Sequence, residues 1–387
     1  MADNTWPEAA PRTGYLKSSD RGHRPDLARD VRRVMAAGGP GPWRQLWHLL
    51  RLRLARSPLQ PSDYYRFGIW KGGVGRRNRA GFLADSERTA YNTALHRPGY
   101  EADWEAAHDK LQTEARLRAA GLPCVQTLAV FTVSGDLPLD VRRLGSVSDL
   151  DEFLGDRHIY PLFLKPRDGT FALGTAALAD ANADRYRFTN DVLVPRPALL
   201  EEIRASGRDY LFQPLVSAHP EIARHAGRAT PTLRVVTLQT DRGVEVWYAA
   251  LRLPSPTQMS DGGSVNMRIW SEIDLNDGRA LKWRPVGAPH SPVPDHWADP
   301  AVPLSELRVP GMSEIRDLCV SAHAAFPRLG IVGWDVFVTP DGPLIGEANA
   351  NPFPVLQAVS GAGIRHGEAE ATYQRALAAA EAARLRD

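Results

Sequence analysis

The stretch Gly330-Ile-Val-Gly333-Trp-Asp335-Val-Phe-Val-Thr339-Pro340-Asp-Gly342-Pro-Leu-Ile-Gly346-Glu347-Ala-Asn349-Ala-Asn351-Pro352 decides the fold. It reads as two neighbouring strands joined at Thr339-Pro340-Asp341-Gly342, a type I turn whose last residue can take the left-handed bulge position. A three-residue loop, 340 to 342, pairs Thr339 with Pro343, and counting back sets Asp335 opposite Glu347. Asn349, two residues further on, points to the same face. The other face carries Val332, Trp334, Val336 and Val338 against Leu344 and Ala348, which is a core face. Cross-strand Cβ atoms stand about 5 Å apart, so two acids and an amide there make an oxygen-only cluster suited to Mg²⁺. A hairpin with a solvated acidic face carries the same pattern.

Around this hairpin, 387 residues can hold two or three packed units, and 43% hydrophobic residues are enough for real cores. A net charge of +2 gives no electrostatic case for nucleic acid. Cys124 and Cys319 offer neither zinc spacing nor a disulfide framework and fit a reducing cytosol. With no apolar run of about 18 residues and no signal peptide, a soluble cytoplasmic protein without stable membrane insertion is expected. Of 47 Lys and Arg residues, only Lys17, Lys71, Lys110, Lys165 and Lys282 are lysines. In a chain so committed to arginine, a retained lysine marks a place for a compact ammonium instead of a planar fork.

Residues 1–30 are rich in Pro, Arg, Asp and Ser without apolar periodicity and read as a loose, flexible arm. Trp43 to Leu54 has apolar residues at helical spacing with Arg44, His48 and Arg51 on another side. Packing against the protein's own body is the expected fate of that stripe; an anionic membrane surface or a partner are the alternatives. Gly72-Gly-Val-Gly75-Arg-Arg-Asn-Arg79 lacks the strand and the terminal Lys-Ser/Thr of a phosphate loop and reads as a basic connector. A helix is expected over 103–120, ended by Gly121 and Pro123. Strands follow at 125–133, at 159–166 with Lys165 at the exit, at 210–216, and as a hairpin over 232–253. Residues 254–310, rich in Pro, Gly and Asp, read as long loops with few strands, and helices span 312–326 and 367–385. Mixed elements in this order indicate an α+β or α/β fold.

These pieces resemble the ATP-grasp superfamily, most closely its sugar-transfer-associated, glutamate-ligase-like branch. Carrying the resemblance are Asp109-Lys110-Leu with Ala-Ala-Gly121-Leu-Pro123, Phe163-Leu-Lys165-Pro with Gly169 and Gly174, and Phe212-Gln213-Pro-Leu-Val216. His219-Pro220-Glu-Ile-Ala, Thr232-Leu-Arg234-Val-Val-Thr, Gly333-Trp-Asp335 and Gly346-Glu347-Ala-Asn349-Ala-Asn351-Pro complete it, over about 105 to 365.

The resemblance implies an α+β ATP-grasp fold, in which two α+β subdomains clamp ATP behind a helical N-terminal extension. The expected division is an arm over 1–30, a helical region over 31–104, and subdomains over 105–213 and 214–387. Lys110 and Lys165 would reach the nucleotide phosphates, under a mobile glycine turn from Gly169 through Thr170 to Gly174. Gln213, Pro214, Leu215 and Val216 would meet the adenine edge, and Glu221, with His219 as a rival, the ribose. Asp335, Glu347 and Asn349 would hold one or two Mg²⁺ ions, with Mn²⁺ able to substitute. Arg234 would stabilise the transferred phosphoryl group. Where relatives carry an Asp-Asn pair before a double glycine, this chain has Gly262-Gly263-Ser-Val-Asn266-Met, which leaves Asn266 and Arg268 as candidates there. No βαβ unit precedes residue 105. The implied reaction joins a small-molecule carboxylate to an amine through an acyl phosphate. A kinase on the same fold and a non-catalytic nucleotide-binding partner are the rivals, and a homodimer is compatible with any of them.

Overall fold

The computed structural model describes residues 14–16, 27–132, 135–169, 173–259, 268–285 and 292–386. It is built on two sheets. The first has seven strands: β1 (Ala129–Phe131), β2 (Arg142–Leu144), β3 (Leu162–Pro166), β4 (Ala176–Ala181), β5 (Arg185–Phe188), β6 (Leu193–Pro195) and β7 (Tyr210–Pro214). They are ordered β2-β1-β7-β3-β4-β5-β6, and only β1 and β2 run parallel. The second sheet is antiparallel, with β8 (Thr232–Thr240), β9 (Gly243–Pro254), β10 (Arg268–Ile273), β11 (Ala280–Pro285), β12 (Ile331–Thr339) and β13 (Gly342–Asn349) in the order β11-β10-β9-β8-β12-β13. Helices Val147–Gly155 and Arg196–Ala205 close the first core around Leu162, Leu164, Tyr186 and Phe212. Helix Met312–His323 closes the second around Trp334, Val336, Leu233 and Val235. The opposite face of the second sheet packs Val236, Tyr248 and Trp270 against helices Val355–Ser360 and Gly367–Arg384. Among the described residues no strand precedes Ala129, and residues 27–119 are helices and turns.

Four expectations meet a different backbone. The helix expected over 103–120 is broken into Glu101–His108 and Lys110–Ala119, because Asp109 is extended and its carboxylate caps Leu111 N–H (2.9 Å) and Gln112 N–H (3.3 Å). The β12–β13 loop closes one residue earlier than counted, pairing Thr339 with Gly342 and Val338 with Pro343. A bulge at Gly346 restores the count, so Asp335 does face Glu347. Between tip and bulge the frame is therefore the other one: Ile345, not Leu344, is buried opposite Val336. The apolar stripe of helix Pro42–Leu54 does not pack inward; Gln45, His48 and Leu52 are its buried residues.

Within the stretch read as a loose arm, Tyr15 and Leu16 donate backbone N–H groups to Glu202 at 2.8 and 3.0 Å, and Leu27 to Asp30 begin a helix. Residues 1–13 and 17–26 lie outside the described residues.

Candidate active site

Strands β13, β12 and β8 set Glu347, Asp335 and Arg234 side by side in one register row. The intervening residues Trp334, Val336, Leu233 and Val235 are buried in the core, so the pleat turns the charged row to the opposite face. Arg234 Nε donates to Asp335 Oδ1 at 2.8 Å. A Cβ at Gly333 would come within 2.9 Å of Arg234 Nη1, so glycine leaves the room this guanidinium occupies. Arg252 Nη2 lies 3.7 Å from Asp335 Oδ2 and donates to Thr232 Oγ1 at 2.6 Å.

The first sheet sends Lys165 into the same place. Leu162 and Leu164 of β3 point into the core, which leaves Lys165 on the other face, buried, with its ammonium 3.4 Å from Glu347 Oε1 and 3.5 Å from the Gly346 carbonyl. Lys110 arrives from the first turn of its helix, 4.0 Å from the same Glu347 oxygen and 3.0 Å from the Gly169 carbonyl. Its backbone is fixed by the Asp109 cap, which Arg167 grips at 2.7 Å while also reaching Asp209 at 3.3 Å. Burial pushes the Asp109 carboxyl up, but the Arg167 hydrogen bonds and charge, with the two capped amides, outweigh it and hold the group below the usual range.

Glu347 keeps 39% of its side chain exposed, enough to meet a ligand from the cleft. Desolvation pushes its carboxyl up, but Lys110, Lys165 and Arg234 together hold it below its ordinary value. Burial lowers the Lys110 ammonium, Glu347 pulls it back up and Lys165 pushes it down again, leaving it net below the lysine norm. Asn349 stands opposite Gly333 on the Glu347 face, and its Oδ1 accepts Asn351 N–H at 3.0 Å. Asn351 is held in turn by Asn92 Nδ2 at 2.7 Å and by Thr89 Oγ1 at 3.0 Å, so a helix of the N-terminal region braces the hairpin exit.

The other expected residues are placed as follows. Gly169 and Gly174 both have positive φ, at 105° and 75°; Thr170 between them lies outside the described residues, as does Asn266. Gln213 is buried on the Lys165 side of β7 and donates to Thr127 Oγ1 at 3.1 Å. Pro214 ends β7 and is exposed. Leu215 N–H is given to the Pro161 carbonyl at 3.0 Å, and the Val216 carbonyl accepts Thr230 Oγ1 at 2.5 Å. Glu221 is exposed and pairs with Arg224 at 3.5 Å. Arg268 begins β10, two residues before Trp270, on the face that Trp270 shares with Arg252.

Four cationic side chains, Lys110, Lys165, Arg234 and Arg252, thus face two carboxylates. That excess suits a polyanion. Among the described residues no three His, Cys, Asp or Glu side chains gather as a metal group. The Asp335, Glu347 and Asn349 oxygens nevertheless share one face and fit a hard cation that takes the rest of its shell from phosphate and water. Sequence reasoning missed Arg252, Asp109, Arg167 and Asn92. Asp109 and Arg252 carried signals: an Asp directly before a helical run is a ready cap, and alternation along the 232–253 hairpin sets Arg252 on the Arg234 face.

The sugar-transfer associated ATP-grasp family matches this chain over residues 95–372. No curated protein matches it by sequence. Among solved structures it is similar to the carboxyaminoimidazole ribonucleotide synthase from Aspergillus clavatus complexed with ATP, at 15% identity and a TM-score of 0.35, over 65% of this chain and 46% of that one. It is similar to the L-amino acid ligase from Bacillus licheniformis at 16% identity and a TM-score of 0.37, over 70% and 48%. The D-alanine–D-alanine ligase from Bacillus anthracis gives 15%, 0.38, 71% and 69%. The chain spans about half the length of the first two.

Proposed function

The chain belongs to the sugar-transfer-associated ATP-grasp family, and we propose that it is an ATP-dependent carboxylate–amine ligase that releases ADP and phosphate. One observation carries this reading: Lys165 from the first sheet and Lys110 from the start of its helix converge on Glu347, beside Asp335 and Arg234 of the second sheet. In the proposed reaction the carboxylate oxygen attacks the terminal phosphorus of ATP, the bond to the bridging oxygen breaks, and ADP leaves. The amine nitrogen then attacks the acyl carbon and loses a proton as phosphate departs. Phosphoryl transfer of this kind asks for positioning and charge neutralisation, which the chain supplies from named groups. Lys110 and Lys165 hold the phosphate chain as point charges that can follow it. Arg234, fixed by Asp335, presents its guanidinium to the transferred group. Asp335, Glu347 and Asn349 would hold one or two Mg²⁺ ions, which when bound supply further neutralisation of the terminal phosphates.

Residues 105–213 and 214–387 would form the two jaws, with Gln213 to Val216 at the base, Glu221 at the ribose, and the turn from Gly169 to Gly174 excluding water from the acyl phosphate. The test is ADP release from ATP with pooled small carboxylates and hydroxylated acceptors, amine omitted and hydroxylamine added. A hydroxamate is expected. A stable phosphorylated alcohol would make the protein a kinase, and AMP would overturn the reading altogether.

A further inference from the structure

Helix Pro42–Leu54 is mounted with its polar side inward. Tyr65 O–H donates to Gln45 Oε1 at 3.0 Å, Gln45 Nε2 donates to the Pro40 carbonyl at 2.7 Å, and His48 Nδ1 meets Tyr64 O–H at 3.0 Å. Those contacts and Leu52, which packs with Leu59 and Phe67, fix the helix to the body. Its outer side carries Trp43, Leu46, Trp47, Leu50 and Leu54 at spacings of three and four, a continuous stripe along all 13 residues. Trp43 is 82% and Leu54 74% exposed, and the other three are about half exposed. A contiguous apolar face of this kind marks an interaction surface.

The charge around the stripe has one sign. Arg44, Arg51, Arg53 and Arg56 are all exposed, and no Asp or Glu occurs between Asp30 and Asp63, a stretch holding six arginines. The Arg51 guanidinium sits 4.6 Å from the Trp47 ring centroid, beside the stripe and not remote from it. No helix among the described residues is long and apolar enough to cross a membrane. A short basic helix that offers Trp and Leu outward has the make-up of an interfacial element, with indoles at headgroup depth and cations against anionic lipid. A second copy of the chain fits this face less well, because an isologous contact would press arginine against arginine.

We propose that the outer face of helix Pro42–Leu54 is a docking surface for an anionic lipid bilayer. The five apolar side chains enter the headgroup layer and the arginines hold the lipid charge, while the helix keeps its polar contacts to the body. This surface is independent of the ligase reading.

Flotation of the full chain with vesicles of phosphatidylcholine and phosphatidylglycerol in equal parts tests it. The chain is expected to float with these, to float far less with phosphatidylcholine alone, and to be released as salt rises. The double variants Trp43→Ala/Trp47→Ala and Arg44→Glu/Arg53→Glu should each lower partitioning about tenfold or more. Both should keep the wild-type circular dichroism and melting midpoint, since the altered side chains are exposed. Absence of flotation, or flotation that both variants leave unchanged, overturns the proposal. A lipid-free dimer dissolved by the tryptophan variant would assign the face to a second copy. Retention on immobilised polyglutamate without flotation would assign it to an acidic protein.

Discussion

Lys165 of β3 stands 3.4 Å from Glu347 of β13, and this pair joins a buried ammonium of one sheet to a half-exposed carboxylate of the other. Lys110 adds a second ammonium to the same oxygen. The carboxylate that would share a cation with phosphate is thus already neutralised by the two side chains that would hold that phosphate.

Glu347→Gln removes this charge while keeping the shape. Turnover should fall by about two to three orders of magnitude, the scale of losing one preorganised charge-stabilising group, with the native circular dichroism retained and a lower melting midpoint as buried Lys165 loses its counter-charge. Activity near wild type at ordinary Mg²⁺ would dismiss the residue from the site.

Mg²⁺ alone should bind weakly, because two carboxylates and an amide supply only part of its shell. Titration with Mg²⁺ should give little heat until a non-hydrolysable ATP analogue is present. Tight binding without nucleotide would mean an all-protein cage that this oxygen set does not offer.

Lys165→Ala should weaken the ATP analogue about ten- to hundredfold, since a charge-assisted contact is worth about 1.5–3 kcal/mol. Lys282→Ala, on an exposed position of β11, is the control and should leave affinity unchanged. Equal affinities in calorimetry would remove Lys165 from the phosphate site.

Asp109→Ala should cost about 1 kcal/mol of stability through the lost cap, and should also weaken nucleotide binding because Lys110 loses its anchored first turn. Since the folded carboxyl is held below its unfolded value, its contribution is full above the unfolded pKa and fades as pH falls through the folded one. The variant should therefore differ from wild type at neutral pH and converge with it in acid. A constant gap across that range would point to packing alone.

His323 and His96 give a second pH dependence. Burial, partly countered by the Leu329 carbonyl and assisted by Arg97, lowers His323 to about 4; burial, then His323 and Arg384, lowers His96 to about 4. Trp334 Nε1 donates to Thr237 Oγ1, and His323 bridges Thr237 to the Leu329 carbonyl, a chain that suits neutral imidazole. The unfolded chain takes up both protons first, so stability is complete above about pH 6.5 and falls towards pH 4, by about 3 kcal/mol per histidine. His96→Gln should flatten that slope; an unchanged slope would mean His96 titrates normally in the fold.

How far the sequence reached depended on whether a feature is local. The Asp335–Glu347 pairing was legible from alternation and turn chemistry, although the turn is tighter than counted and the Gly346 bulge returns the frame. Arg252 lay within reach of the same count. A three-residue loop over Asp241-Arg242-Gly243 sets Thr232 opposite Arg252 on the Arg234 face, and the tighter turn, pairing Thr240 with Gly243, is offset by the β8–β9 register shift between Val236 and Thr237, which keeps that pairing. One inserted residue reverses every side chain beyond it, and bulges leave little trace in composition. Periodicity likewise found the stripe on helix Pro42–Leu54 but could not say which side the body holds, because Gln45 and His48 find tyrosine partners distant in the chain.

The Gly346 bulge also separates the hairpin into two mechanical frames. A Cβ there would fall 2.6 Å from the Phe337 ring, so a larger residue would have to push that ring aside. Beyond it, the tip at Pro340 and Asp341 answers to its own register. Loop length at the tip is thus uncoupled from the alignment of Asp335 with Glu347, since one residue gained at the turn can be matched by one lost at the bulge. The exposed tip is the natural place on this hairpin for a fluorophore or a short epitope, since its register is separate from that of the acidic pair.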